Sequence, residues 1–126
     1  MSRALSGVGL ALVEVPRFRA VLARRGAAFE ARVFTPGELA YAHAKRFGWQ
    51  NLAARFAAKL AGRAALRDAL GRGLPLAGFE VARKRSGEPE LQLLPRAGVE
   101  ASFVFRLSLT HDADFALASV LAEAAP

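Results

Sequence analysis

The stretch Ser6-Gly7-Val8-Gly9-Leu10-Ala11-Leu12-Val13-Glu14 decides how the rest of the chain is read. With Leu5 and Val15 it forms an apolar run rich in Val and Leu, closed by Pro16. A run of this length and composition reads as a strand buried on both faces. The segment Ala4–Val15 lacks a charged leader and a small-residue cleavage site, so it is not read as a signal peptide. It also falls short of the roughly 20 apolar residues of a membrane span, as does every other stretch.

Working outward, Pro16 suits the first turn of a helix. Phe18, Val21 and Leu22 recur at helical spacing, and Gly26 stops the run. Arg17, Arg24 and Arg25 occupy the opposite face. A loop packed through Phe29, Val33 and Phe34 is expected next. Thr35-Pro36-Gly37-Glu38 is a capping-box pattern, which predicts a helix from there to about Arg46. A long helix is expected over about 50–70, with Leu52, Phe56 and Leu60 one turn apart. Gly71 ends it. The remainder reads as strands. Residues 79–84 and 90–94 flank the turn Arg85-Ser86-Gly87-Glu88-Pro89, and residues 103–110 and 115–121 flank His111-Asp112-Ala113-Asp114. The order β-α-α-α-β-β-β-β implies an α+β domain, an antiparallel sheet packed against the long helix.

The 126 residues, 53% of them hydrophobic, suit a single domain spanning 1–126. The absence of cysteine excludes a disulfide framework, a zinc-thiolate site and a cysteine nucleophile, and is compatible with the cytoplasm. The net charge of +7 admits two readings, a basic solvated surface or an anionic partner. No aromatic-interleaved basic stretch or nucleic-acid motif is present, so a nucleic-acid partner is not expected.

The opening stretch, Arg55-Phe56-Ala57-Ala58-Lys59-Leu60-Ala61 and Ser108-Leu109-Thr110-His111-Asp112 together resemble the signatures of the holo-acyl-carrier-protein synthases, small 4′-phosphopantetheinyl transferases. Val33-Phe34-Thr35-Pro36-Gly37-Glu38-Leu39, Gly71-Arg72-Gly73 and Gly87-Glu88-Pro89 add to the likeness in the same order. The resemblance implies a 4′-phosphopantetheinyl transferase-like fold. It implies a place in fatty acid biosynthesis, moving the phosphopantetheine arm of coenzyme A onto a serine of apo-acyl carrier protein with 3′,5′-ADP leaving. It also implies magnesium, a homotrimer and sites between subunits.

The family's first motif reads Gly-(Ile/Val)-Asp-Ile-Val-Glu and its second Phe-Ala-x-Lys-Glu-Ala. The metal-binding Asp and Glu align with Ala11 and Leu60, and a Lys one turn later aligns with Ala64. A hard cation needs oxygen ligands, and these residues supply none. Glu14 and Asp112 are the remaining carboxylates near the motifs. Glu14 lies three residues from Ala11, on the opposite face of a regular strand, and Asp112 sits on a turn.

By the same resemblance, Arg55, Lys59, Gly71, Gly73, Gly87, Pro89 and His111 are the expected coenzyme A contacts. Arg17, Arg24 and Arg25 are the expected contacts to the carrier protein. His43 reads as a surface residue. The expectation is a degenerate family member with weak or no transfer. The alternatives are a transferase with an altered metal site and a non-catalytic binding or structural subunit.

Overall fold

The computed structural model describes residues 4–125; the domain expectation of 1–126 also includes residues 1–3 and 126, outside the described range. The elements run β1 (Ala4–Glu14), α1 (Val15–Val33), α2 (Pro36–His43), α3 (Gly48–Leu70), β2 (Phe79–Arg83), β3 (Pro89–Leu93), β4 (Phe103–His111) and β5 (Phe115–Ala124). Short 3-10 turns lie at Leu76–Gly78 and Pro95–Ala97. The expected order of elements is therefore found. The strands form two sheets instead of one: three antiparallel strands in the order β1-β5-β4, and the hairpin β2-β3.

Helix α3 is the spine, about 35 Å long at 1.5 Å per residue. Its buried stripe is Leu52, Ala53, Ala54, Ala57, Ala58, Ala61, Ala65 and Leu66. Phe56 and Leu60, expected on the buried stripe with Leu52, are only half-buried at its margin. Small side chains let the sheet come close. A Cβ on Gly7 would stand 1.9 Å from the Ala65 carbonyl oxygen, and one on Gly9 1.8 Å from that of Ala61. Only glycine fits at these two positions of β1. The inward residues of β5 are Ala116, Ala118, Val120 and Ala122, all buried.

The outer face of the sheet departs from expectation. Leu5, Val8, Leu10 and Leu12 are between 59% and 70% exposed, so β1 is buried on one face only. Phe115, Leu117 and Leu121 of β5 extend this apolar surface. The run looked doubly buried because both of its faces are apolar, although among the described residues no layer covers the second.

Helix α1 also differs. Gly26 takes φ 63° and ψ −148°, which breaks the helix as expected, but helical backbone resumes and carries on to Val33. Phe29 and Val33 therefore pack from a helix and not from a loop. Phe18, Phe29, Phe34 and Phe56 form an aromatic cluster with centroids 5.1–6.3 Å apart. Helix α2 ends at His43, three residues before the expected Arg46. Gly71 caps α3 at φ 69°. Among the described residues, no helix is long and apolar enough to cross a membrane.

Candidate functional site

The capping box of α2 builds more than a helix start. Thr35 N–H donates to Glu38 Oε1 at 2.8 Å, and Glu38 N–H donates to Thr35 Oγ1 at 3.2 Å. Lys59 of α3 donates to the same Oε1 at 2.6 Å and to the Val33 carbonyl at 2.7 Å. Val81 N–H of β2 donates to Glu38 Oε2 at 2.8 Å. One carboxylate thus joins α2, α3 and β2. Lys59 is fully buried. Burial pulls its ammonium below the ordinary lysine value, while the charge and hydrogen bond of Glu38 act in the opposite sense. Two of its three donors go to these protein groups, and the ammonium stands 5.3 Å from the Phe34 ring centroid.

One turn earlier on α3, Arg55 is also buried. Neither residue forms the solvated basic face that a helix bearing two spaced cations suggests. The Arg55 guanidinium lies 4.6 Å from the Tyr41 ring centroid, and the Arg83 guanidinium and Lys45 ammonium each lie 4.8 Å from it. Arg55 Nη1 donates to the Asn51 carbonyl at 3.4 Å, and its buried Nε has no partner. Burial is the main cause lowering the Arg55 pKa; Glu38 opposes it and Arg83 adds to it. A cavity of about 240 Å³ opens here, lined by Gly37, Glu38, Tyr41, Arg55, Glu80, Val81, Ala82 and Arg83. An unpaired buried donor beside a second guanidinium suits an anionic oxygen. Glu38 and Glu80 sit in the same wall, so the charge there is mixed.

Arg83 Nη1 also donates to the Gly87 carbonyl at 2.6 Å. That bond ties the β2-β3 turn, and with it Gly87 and Pro89, to the Tyr41 cluster. Gly87 adopts φ 92° in this turn. Tyr41, Lys45 and Arg83 are absent from the sequence-derived site. Their signal was partial: Tyr41 and Lys45 are one helical turn apart, whereas Arg83 meets them only through the packing of β2.

The remaining candidates lie elsewhere. Gly71 is 16 positions beyond Arg55, about 24 Å along the helix. Its N–H is already bonded to the Arg67 carbonyl at 2.8 Å. A Cβ at Gly73 would approach Arg67 Nη1 at 3.0 Å. His111 is exposed at the end of β4, on a cavity of about 250 Å³ shared with Leu12, Thr110, Asp112, Phe115 and Leu117. Arg17, Arg24 and Arg25 are exposed on α1, as expected. His43 is exposed and bonds Glu30 at 3.1 Å.

Leu60, aligned with the metal-binding Glu of the family motif, borders a cavity of about 410 Å³ with Leu12, Val13, Glu14, Arg17, Phe18, Val21 and Phe56. Six of these eight residues are apolar, and Glu14 and Arg17 supply the polar part of the wall. Glu14 is paired to Arg17 at 3.3 Å, with both side chains largely exposed. Asp112 Oδ1 accepts the N–H groups of Asp114 and Phe115, each at 2.8 Å, as the cap of its turn. Among the described residues, no group of three or more His, Cys, Asp or Glu is placed to hold a metal ion. Magnesium is held through one or two carboxylates, and the one carboxylate lining the cavity, Glu14, is already paired to Arg17, so the donor set does not fit it.

The 4′-phosphopantetheinyl transferase superfamily model, described as ACPS, matches residues 7–120. A holo-[acyl-carrier-protein] synthase of Solibacter usitatus is 39% identical over 124 residues, covering 93% of this chain and 97% of that one. The ACPS–CoA complex of Chronobacterium ammoniagenes matches with a TM-score of 0.79 at 32% identity, covering 95% and 98% of the two chains. The Bacillus anthracis holo-(acyl-carrier-protein) synthase in complex with CoA (3′,5′-ADP) matches with a TM-score of 0.76 at 25% identity, covering 98% and 100%.

Proposed function

We propose, on the premise that the chain belongs to the 4′-phosphopantetheinyl transferase superfamily alongside the holo-[acyl-carrier-protein] synthases, that it binds coenzyme A and an acyl carrier protein with weak or no transfer between them. The observation that carries this reading is the apolar side chain of Leu60 in the cavity wall, where the one lining carboxylate, Glu14, is paired to Arg17. Phosphoryl transfer depends on positioning and on neutralising charge at the pyrophosphate. Ala11, Leu60 and Ala64 bring no charge to that task.

Binding has more support than chemistry. Arg55, Arg83 and Lys45 around Tyr41 offer guanidinium and ammonium donors for the phosphates, with Gly87 and Pro89 in the adjoining turn. His111 and the Gly71-Arg72-Gly73 segment lie apart from this cluster within one protomer, so their part in ligand binding calls for a neighbouring subunit. Lys59 supports the site from behind, by holding Glu38. The Arg17, Arg24 and Arg25 face of α1 suits an acidic helix of the carrier protein, reached by electrostatic steering. The exposed apolar face of β1 and β5 suits contact with further copies of the chain, and we read the assembly as a homotrimer in the cytoplasm.

The test is calorimetric titration of coenzyme A and 3′,5′-ADP, with and without EDTA. Binding that survives the chelator, falls with salt, and weakens about fivefold or more in Arg83→Ala and Lys45→Ala is expected from charge-assisted contacts. Binding that appears only with magnesium points to a substitute metal ligand such as Glu14 or Asp112, and overturns the reading.

A further inference from the structure

The cavity beside Leu60 is left without a role by the binding surfaces described above. It lies at the free edge of β1, between α1 and α3, and its floor is formed by Leu12, Val21, Phe56 and Leu60. Ligand pockets are concave and mostly apolar, with a few polar groups that fix orientation, and this cavity has that make-up. One end is charged. Arg17 lines the cavity and touches Glu14 only through Nε, which leaves further guanidinium donors free. Arg24 and Arg25 lie farther along α1, outside the cavity wall, and among the described residues neither makes an ion pair.

We propose that this cavity binds an unbranched free fatty carboxylate, with its chain against Leu12, Val21, Phe56 and Leu60 and its head on Arg17. The inference rests on the reading that position 60 no longer serves a metal. Its volume of about 410 Å³ accommodates a chain of about ten carbons, taking a methylene as roughly the size of a liquid water, about 30 Å³, with allowance for imperfect packing. An apolar chain gains from burial against the leucine and phenylalanine walls, and the carboxylate exchanges water for a guanidinium. Glu14 lines the same wall and is paired to Arg17, so the preference for a carboxylate over a long-chain amine rests on the remaining guanidinium donors of Arg17.

The experiment titrates hexanoate, octanoate and decanoate, each below its aggregation threshold, into the full chain by calorimetry. Affinity should rise about threefold to fourfold per added methylene. Leu60→Glu should reduce decanoate affinity at least tenfold, and Leu60→Met should leave it near the parent value. Arg17→Ala should weaken decanoate but not decanol. Leu60 is only half-buried, and circular dichroism of each variant checks that it is folded. Equal affinity across the chain-length series, or equal decanoate affinity in parent and Leu60→Glu, overturns the proposal, because adsorption to the exposed sheet face would not sense position 60. Coenzyme A titrated in parallel separates the two readings. Loss of decanoate binding alone sinks this inference, and absence of coenzyme A binding alone sinks the proposed function.

Discussion

Replacing Lys59 by Met tests the packing logic on which the candidate site is built. The ammonium is fully buried, 2.6 Å from Glu38 Oε1 and 2.7 Å from the Val33 carbonyl. Its removal leaves the Glu38 carboxylate, itself 2% exposed, without a counter-charge. Breaking a buried pair by deleting one partner costs about 3–5 kcal/mol. Glu38 keeps its bonds from Thr35 and Val81, which argues for the lower half of that range. With about 2.1 cal/mol/K of unfolding entropy per residue over 126 residues, the range corresponds to a fall in Tm of about 11–19 °C. In Glu38→Gln/Lys59→Met the orphaned charge is gone, so the double variant should lose at least about 2 kcal/mol less than the sum of the single losses. The assay is urea and thermal unfolding followed by circular dichroism. The pH response has a definite sign. Burial lowers the folded pKa of Lys59 below the ordinary 10.5, so between the two values the unfolded chain binds more protons. This group therefore makes stability rise with pH across that window, and the slope should vanish in Lys59→Met. A single-variant loss under about 1 kcal/mol, or strictly additive losses, would refute the claim of a coupled buried pair.

Three further outcomes are expected. Ala11→Asp, Leu60→Glu and Ala64→Lys made together should restore measurable transfer where each alone does little, because groups acting as a unit are non-additive; a folded, coenzyme A-binding triple variant with no product would place the divergence elsewhere. Charge reversal at Arg17, Arg24 and Arg25 should weaken carrier-protein binding about tenfold or more at low ionic strength and less at high, read by titration calorimetry. The backbone N–H groups of Phe115 and Asp114 hold the Asp112 carboxyl below its ordinary 3.8, so its contribution to stability is present above that value and lost as pH falls through the lower folded one. Acid unfolding of Asp112→Ala should accordingly show a shallower limb below about pH 4.

Much of the architecture was legible because the responsible signals are local. The capping box at Thr35 and Glu38, the αL cap at Gly71 and both hairpins depend on a few adjacent residues. What sequence concealed depends on distant partners. Lys59 looked available because Glu38 is 21 positions away, and only folding brings it to 2.6 Å. Tyr41, Arg55 and Arg83 come from three elements and Lys45 from the connection after α2, so no spacing rule joins all four at one ring. Gly26 announced a break in α1, but a positive φ at one glycine does not say whether helix resumes beyond it. The strand β1 misled through its composition: apolar residues on both faces read as double burial, but Leu5, Val8, Leu10 and Leu12 are exposed. The substitutions at Ala11 and Leu60 were legible in the sequence, while the cavity beside Leu60 needed Val21 and Phe56 in place.

The central claim is that this scaffold retains binding surfaces without the metal-assisted chemistry of its family. The most direct measurement incubates purified full-length protein with coenzyme A, an apo-acyl carrier protein and magnesium, and follows the carrier by intact-mass spectrometry. Phosphoryl-neutralising groups and metals supply several kcal/mol to such transition states, so their absence should slow transfer by about a thousandfold or more relative to an intact relative. The account predicts a carrier mass that stays at the apo value over the hours in which the relative converts it fully. Conversion at a comparable rate would contradict it.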